Sequence, residues 1–177
     1  MASATMTLIA SQVLGSSASS VTFSSIPQTY KDLKIISSTR DISSGNPSSN
    51  MTVQFNGDAT TKYSQTILRG NGGSASAVQG GSYTYWLNYV ISSGSASTAN
   101  TFGSEEFYIP NYISSTTKQS FSFGAGENNS STAGNQWIGI VANYYQGTSP
   151  ITSITLDLNG NTISTNSSFY LYGIKNS

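Results

Sequence analysis

Gln136-Trp137-Ile138-Gly139-Ile140-Val141-Ala142-Asn143-Tyr144 sets Ile138, Ile140, Ala142 and Tyr144 against Trp137, Gly139, Val141 and Asn143. Alternation of period two marks a β-strand, because successive side chains leave opposite faces of the backbone. The pattern continues outward in both directions. Towards the C-terminus, Ile154, Leu156 and Leu158 share a face, Asn159-Gly160-Asn161 forms a turn, and residues 169–174 make a closing strand. Towards the N-terminus, residues 118–123 place Phe121 and Phe123 together, and residues 102–109 form a strand stopped by Pro110-Asn111.

Further strands fall at residues 7–14, 20–24, 33–39, 51–55 and 65–69. Leu33, Ile35 and Ser37 share one face, as do Val53 and Phe55. Residues 70–81, rich in Gly, Ser and Ala, are expected to be a loop. Residues 82–91 are expected to form one long strand with Tyr83, Tyr85, Leu87, Tyr89 and Ile91 on one side. No sustained 3.6-residue apolar period occurs, and no helix separates the strands, so a parallel α/β fold is excluded. About ten short strands at this spacing predict an all-β, antiparallel β-sandwich of the jelly-roll kind. Residues 1–177 form a single domain, in which residues 1–10 are either a paired strand or an N-terminal arm for a neighbouring subunit.

Composition narrows the function. The chain has no Cys and no His, which removes disulfides, thiolate sites, imidazole general bases and the Ser-His-Asp triad. Charged residues are 8% of the chain, seven basic and seven acidic, against a typical value of about 25%. Such a surface offers no phosphate-neutralising footprint for nucleic acid and no basic patch for a membrane. Ser, Thr and Asn fill roughly 40% of the positions, so hydroxyls and amides solvate the surface in place of charges. A surface of low net charge favours association. Residues 1–10 carry no basic segment and no long apolar run, and therefore no targeting signal is expected.

The acids do not suggest catalysis. Glu105 and Glu106 are adjacent and point to opposite faces of a strand. Asp32, Asp41, Asp58, Glu127 and Asp157 are scattered, whereas glycoside hydrolysis needs two carboxyls about 5–10 Å apart. Asn56-Gly57-Asp58 and Asp157-Leu158-Asn159-Gly160-Asn161 offer oxygen ligands of the calcium type, but the same residues are ordinary turn formers. The expectation is no enzyme, no cofactor and no metal. Aromatic residues are the better candidates for binding. Tyr83, Tyr85 and Leu87 facing inward would turn Trp86 outward. Ile138 and Ile140 facing inward would turn Trp137, Val141 and Tyr145 outward. Trp86, Trp137 and Tyr145 are therefore the candidate binding residues, suited to a sugar ring or a protein interface. The competing reading is a strand buried on both faces, which fits Trp137 better than Trp86.

Two long stretches carry a family resemblance. Thr7-Leu8-Ile9-Ala10-Ser11-Gln12-Val13-Leu14-Gly15-Ser16, followed by Val21-Thr22-Phe23-Ser24-Ser25-Ile26-Pro27-Gln28-Thr29-Tyr30-Lys31-Asp32-Leu33, resembles the start of small structural proteins of aquatic tailed phages. Val53-Gln54-Phe55-Asn56-Gly57-Asp58, Leu68-Arg69-Gly70-Asn71-Gly72, Tyr108-Ile109-Pro110-Asn111-Tyr112 and Leu171-Tyr172-Gly173-Ile174-Lys175 resemble later blocks of that family. The resemblance implies a virion component, either a capsid decoration or cement protein or a tail-associated or fibre-head domain. The first would bind the major capsid protein and copies of itself on the outer capsid surface, after assembly in the host cytoplasm. The second would bind a receptor or glycan.

Overall fold

The computed structural model describes residues 5–175, apart from the side chains of residues 89–91. Twelve strands run through these residues: β1 (Met6–Val13), β2 (Ser20–Phe23), β3 (Asp32–Thr39), β4 (Ser48–Phe55), β5 (Tyr63–Gly70), β6 (Ala75–Tyr83), β7 (Trp86–Ser93), β8 (Gly103–Ile109), β9 (Lys118–Gly126), β10 (Trp137–Tyr145), β11 (Ile154–Asp157) and β12 (Ser168–Ile174). They build an eight-stranded sheet in the order β1-β12-β3-β8-β9-β10-β5-β6 and a four-stranded sheet in the order β2-β11-β4-β7. Every strand pairing is antiparallel.

The pairs β1·β12, β2·β11, β3·β8 and β4·β7 are nested inside one another along the chain. A long hairpin rolled across two sheets produces this nesting, which is the topology of a jelly roll. Two hairpins are added to it. β5–β6 is inserted between β4 and β7, and β9–β10 between β8 and β11; together they widen one sheet by four strands.

The main core lies between β3, β8 and β12 of the wide sheet and β2, β4, β7 and β11 of the narrow one. Leu33, Ile35, Phe107, Phe169 and Leu171 meet Val21, Val53, Phe55, Ile154 and Leu156, all buried. Each comes from an alternating strand, so period-two patterning fills the space between the sheets. Asparagine shapes many of the turns. Asn56, Asn100, Asn111, Asn129, Asn159 and Asn166 all have positive φ, a conformation that Asn tolerates better than most residues.

Several sequence expectations are corrected. Residues 75–81, expected to be part of a loop, belong to strand β6, held by its ladder to β5. The expected long strand over residues 82–91 breaks at Thr84-Tyr85, where the chain crosses from the wide sheet to the narrow one. Trp86 consequently begins a strand that faces the core, and its exposure is 0%. Of the two readings offered for residues 1–10, Met6–Ala10 follow the paired strand, since β1 pairs with β12 of the same chain, and residues 1–4 lie outside the described residues.

The direction of the β10 alternation is also reversed. Val141 and Tyr145 are buried, while Ile138 is 62% exposed and Ile140 is 45% exposed. Trp86→Ala is expected to cost about 3–5 kcal/mol in urea unfolding. Ile140→Ser is expected to change stability by no more than about 0.5 kcal/mol. A larger loss at Ile140 than at Trp86 would contradict this assignment of faces.

Candidate functional site: an apolar face on the widened sheet

The added strands carry apolar side chains on the outside of the sandwich. Ile140 sits opposite Phe123 of β9 and Leu68 of β5, while Phe121 lies opposite Ala142. Directly opposed residues in an antiparallel ladder share a face. Leu68, Phe121, Phe123, Ile138 and Ile140 therefore form one patch across three strands, each between 44% and 62% exposed. The Phe121 and Phe123 rings lie 6.2 Å apart. A groove of about 520 Å³ runs between the two phenylalanines and Ile138 and Ile140. A second, of about 250 Å³, follows Leu68, Ile138 and Ile140 on the other side. The patch ends at β8, where Glu106, opposite Phe123, pairs with Lys34 at 2.6 Å.

The reverse side of the same strands is polar. Ser122 donates to Asn88 Oδ1 at 2.7 Å, and Asn143 Nδ2 donates to Ser122 Oγ at 3.1 Å. The amide N–H of Leu87 donates to Gln65 Oε1 at 3.4 Å. Buried polar groups and an exposed run of large apolar ones are the informative exceptions on a protein surface. Here both occur in the same strands, on opposite sides.

The candidate binding residues divide. Trp86 is in the core: its ring meets Phe55 edge-on at 4.5 Å, and its Nε1–H donates to the Tyr144 carbonyl at 2.8 Å. Tyr145 is 3% exposed, stacks on Tyr63 at 4.6 Å, and donates its hydroxyl to Asp58 Oδ2 at 2.7 Å. Neither presents a ring to solvent, because the parity of β7 and β10 turns both inward. Trp137 is partly buried at the end of β10, with the Arg69 guanidinium 4.9 Å from its ring centroid. Trp86 and Tyr145 lie apart from the apolar patch, whereas Trp137 borders a cleft together with Ile138 of that patch. Of the patch residues, Ile138 and Ile140 are expected from the sequence to face inward, Phe121 and Phe123 only to share a face, and Leu68 carries no expectation of a face.

Glu105, Asp58 and Asp157 are each held by structural contacts. Glu105 and Glu106 face opposite ways, as adjacent strand residues must. Glu105 is buried and accepts from Ser37 at 2.5 Å, Ser92 at 2.7 Å and Thr39 at 2.8 Å. Burial pushes its carboxyl above the ordinary 4.5, against the pull of these three hydroxyls. Asp58, in the Asn56-Gly57 turn, is held well below the usual range, by the Thr60 hydroxyl above all and then by Tyr145 and Lys62. Asp157 caps its own turn by accepting the Gly160 N–H at 3.2 Å. Among the described residues, no group of three or more acids is placed to hold a metal ion.

No family model matches the chain, and no curated protein matches it. Solved structures of similar outline include the CBM40 of a Ruminococcus gnavus IT-sialidase bound to α2,3-sialyllactose. It shares 11% identity over 97% of this chain and 95% of that one, with a TM-score of 0.39. NanB in complex with Optactamide shares 8% identity over 97% of this chain but only 27% of its own, at 0.43. The CBM2 module of the evolved Dit of Lactobacillus casei BL23 phage J-1 shares 10% identity over 89% of this chain and 69% of that one, at 0.29. Likeness this distant bears on neither the ligand nor the role of this chain.

The two shifted acids act on opposite sides of the pH scale. Glu105 prefers its proton in the folded chain, so its contribution is full below pH 4.5 and is lost as pH rises through the raised folded value. Asp58 contributes above pH 3.8 and loses that contribution as pH falls through its lowered folded value. The urea midpoint is therefore expected to decline on the alkaline side of pH 4.5, and Glu105→Gln is expected to flatten that decline. An identical slope in the variant would contradict the assignment.

Proposed function

We propose that this chain is a non-enzymatic structural protein of a tailed-phage virion, and that it decorates the head by seating the outer face of its widened sheet on the major capsid protein. The observation that carries this reading is the patch formed by Leu68, Phe121, Phe123, Ile138 and Ile140. Five large apolar side chains on one sheet face gain free energy only when something covers them. A neutral surface with 8% charged residues gives little electrostatic steering, so apolar burial must supply the affinity. Shell subunits repeat, and many copies of a small module on a repeating lattice hold one another in place by avidity. The resemblance in the opening and closing stretches supports the same setting. The outer capsid surface is the proposed location, and neighbouring copies are proposed to touch there.

Co-sedimentation of the purified protein with heads that lack it tests this. The wild-type chain is expected to pellet with the heads and to remain bound as salt is raised. Phe123→Glu with Ile140→Glu should keep the fold and weaken binding by at least about tenfold, the loss of one modest hot spot. A wild-type chain that stays in the supernatant, or a double variant that pellets equally well, would overturn the proposal.

A further inference from the structure

The eight-stranded sheet ends on β1 at one side and on β6 at the other, and the four-stranded sheet ends on β2 and β7. An edge strand leaves a row of backbone N–H and C=O groups without a ladder partner. Proteins blunt such edges with charge, proline, bulges or short length. Among the described residues, three of these four edges are blunted. β2 has only four residues. The ladder of β7 shifts register between Asn50 and Met51 of β4, and that of β1 shifts between Leu8 and Ala10. β6 differs. Its residues 75–80 pair without interruption to residues 65–70 of β5, and its register shifts only beyond Gly80. The run Ala75-Ser76-Ala77-Val78-Gln79-Gly80 contains no charged residue and no proline.

We infer that β6 is a self-association edge, at which two copies of this chain pair antiparallel through residues 75–80 about a two-fold axis, so that one sheet continues into the next.

The choice of a second copy follows from the strand's own chemistry. A two-fold pairing sets β6 against itself, so any charge on it would meet its own kind. β6 carries none. The nearest charge is Arg69 of β5, opposite Ser76. Its Nε–H donates to the Ser76 hydroxyl at 3.3 Å, and its guanidinium lies 4.9 Å from the Trp137 ring centroid, so it is held back from the edge. The outer side of the strand carries Ala75, Ala77 and Gln79, all exposed. Pairing centred on Ala77 sets Ala77 against Ala77 and Ala75 against Gln79. Pairing centred on Val78 sets Ala77 against Gln79 and Ser76 against Gly80. Neither register opposes charges or large rings. Pairing of β6 with β1 of another copy would run head to tail without closing, and the β1 bulge leaves no uninterrupted run of comparable length there.

The geometry has a consequence for the apolar patch. Opposed residues in an antiparallel ladder share a face, so a two-fold axis normal to the sheet keeps both outer faces on one side. The groove of about 250 Å³ beside Leu68 reaches Ala75 of β6. The patches of the two copies therefore lie on the same side of the joined sheet, separated by the paired β6 strands. A dimer of this form engages a repeating surface at two points. That use rests on the docking proposed above, whereas the pairing is a property of the chain alone and is measured without heads.

Sedimentation velocity of the full chain from about 1 to 100 µM tests it. The wild-type chain is expected to pass from monomer to dimer across that range and to stop there. Ala77→Lys with Gln79→Lys places lysine opposite lysine in both registers and is expected to weaken the dimer at least about tenfold. Phe123→Glu with Ile140→Glu should leave the dimer intact. In the wild-type chain, amide hydrogen exchange within residues 75–80 should slow as concentration rises, while exchange within residues 6–13 should not. A wild-type chain that stays monomeric, a lysine variant that dimerises equally well, a dimer lost only in the Phe123 and Ile140 variant, or exchange at residues 75–80 that ignores concentration would each overturn the inference.

Discussion

The hydrogen bond from the Trp86 indole to the Tyr144 carbonyl spans the two sheets at 2.8 Å, with the ring packed edge-on against Phe55. It joins β7 of the narrow sheet to β10 of the wide one. An indole of this size buried without a partner for its N–H would be costly, so the bond and the burial stand together. Once Trp86 faces inward, Asn88 must do so as well, because strand side chains alternate. The same rule on β10 brings Val141, Asn143 and Tyr145 inside and leaves Ile138 and Ile140 outside. Pairing then carries this choice sideways to Leu68 on β5 and to Phe121 and Phe123 on β9.

The interior of the added strands is lined by small polar groups that hydrogen-bond to one another, with Asn88 Nδ2 and Asn143 Oδ1 left without a partner among the described residues. Ser122, Asn88 and Asn143 form a connected set of hydrogen bonds between β9, β7 and β10. A short apolar cluster of Ile67, Val141 and Val78 lies on the same side. Large apolar side chains turned inward would displace that polar layer. A one-residue slip of β10 would do this while exposing Val141 and Tyr145, and it would break the Asp58–Tyr145 bond. The exposed face is therefore a consequence of the core rather than a failure of patterning.

The sequence made the architecture legible where alternation was strong. Leu33 and Ile35, Val53 and Phe55, and Ile154, Leu156 and Leu158 all reach the core as their spacing implies. Alternation separates two sets of side chains without saying which set faces in, and for β10 the set with more isoleucine was assigned inward. Hydrophobicity alone could not reveal that Trp86 and Tyr145 anchor the interior through polar tips held by Tyr144 and Asp58. β6 escaped because Ser, Ala and Gly have little strand preference of their own; its ladder to β5 supplies what composition does not. Trp137 was recognisable as an aromatic of interest, but the Gly134 carbonyl that holds its indole sits on a loop whose closure spacing does not encode.

The most direct measurement exploits the absence of cysteine. Single variants Ile140→Cys and Val141→Cys would be labelled with a maleimide, first as free protein and then bound to heads. The account predicts rapid labelling at position 140 in the free protein, protection there on the particle, and slow labelling at position 141 throughout. Faster labelling at 141 than at 140, or no protection of 140 on the particle, would contradict it.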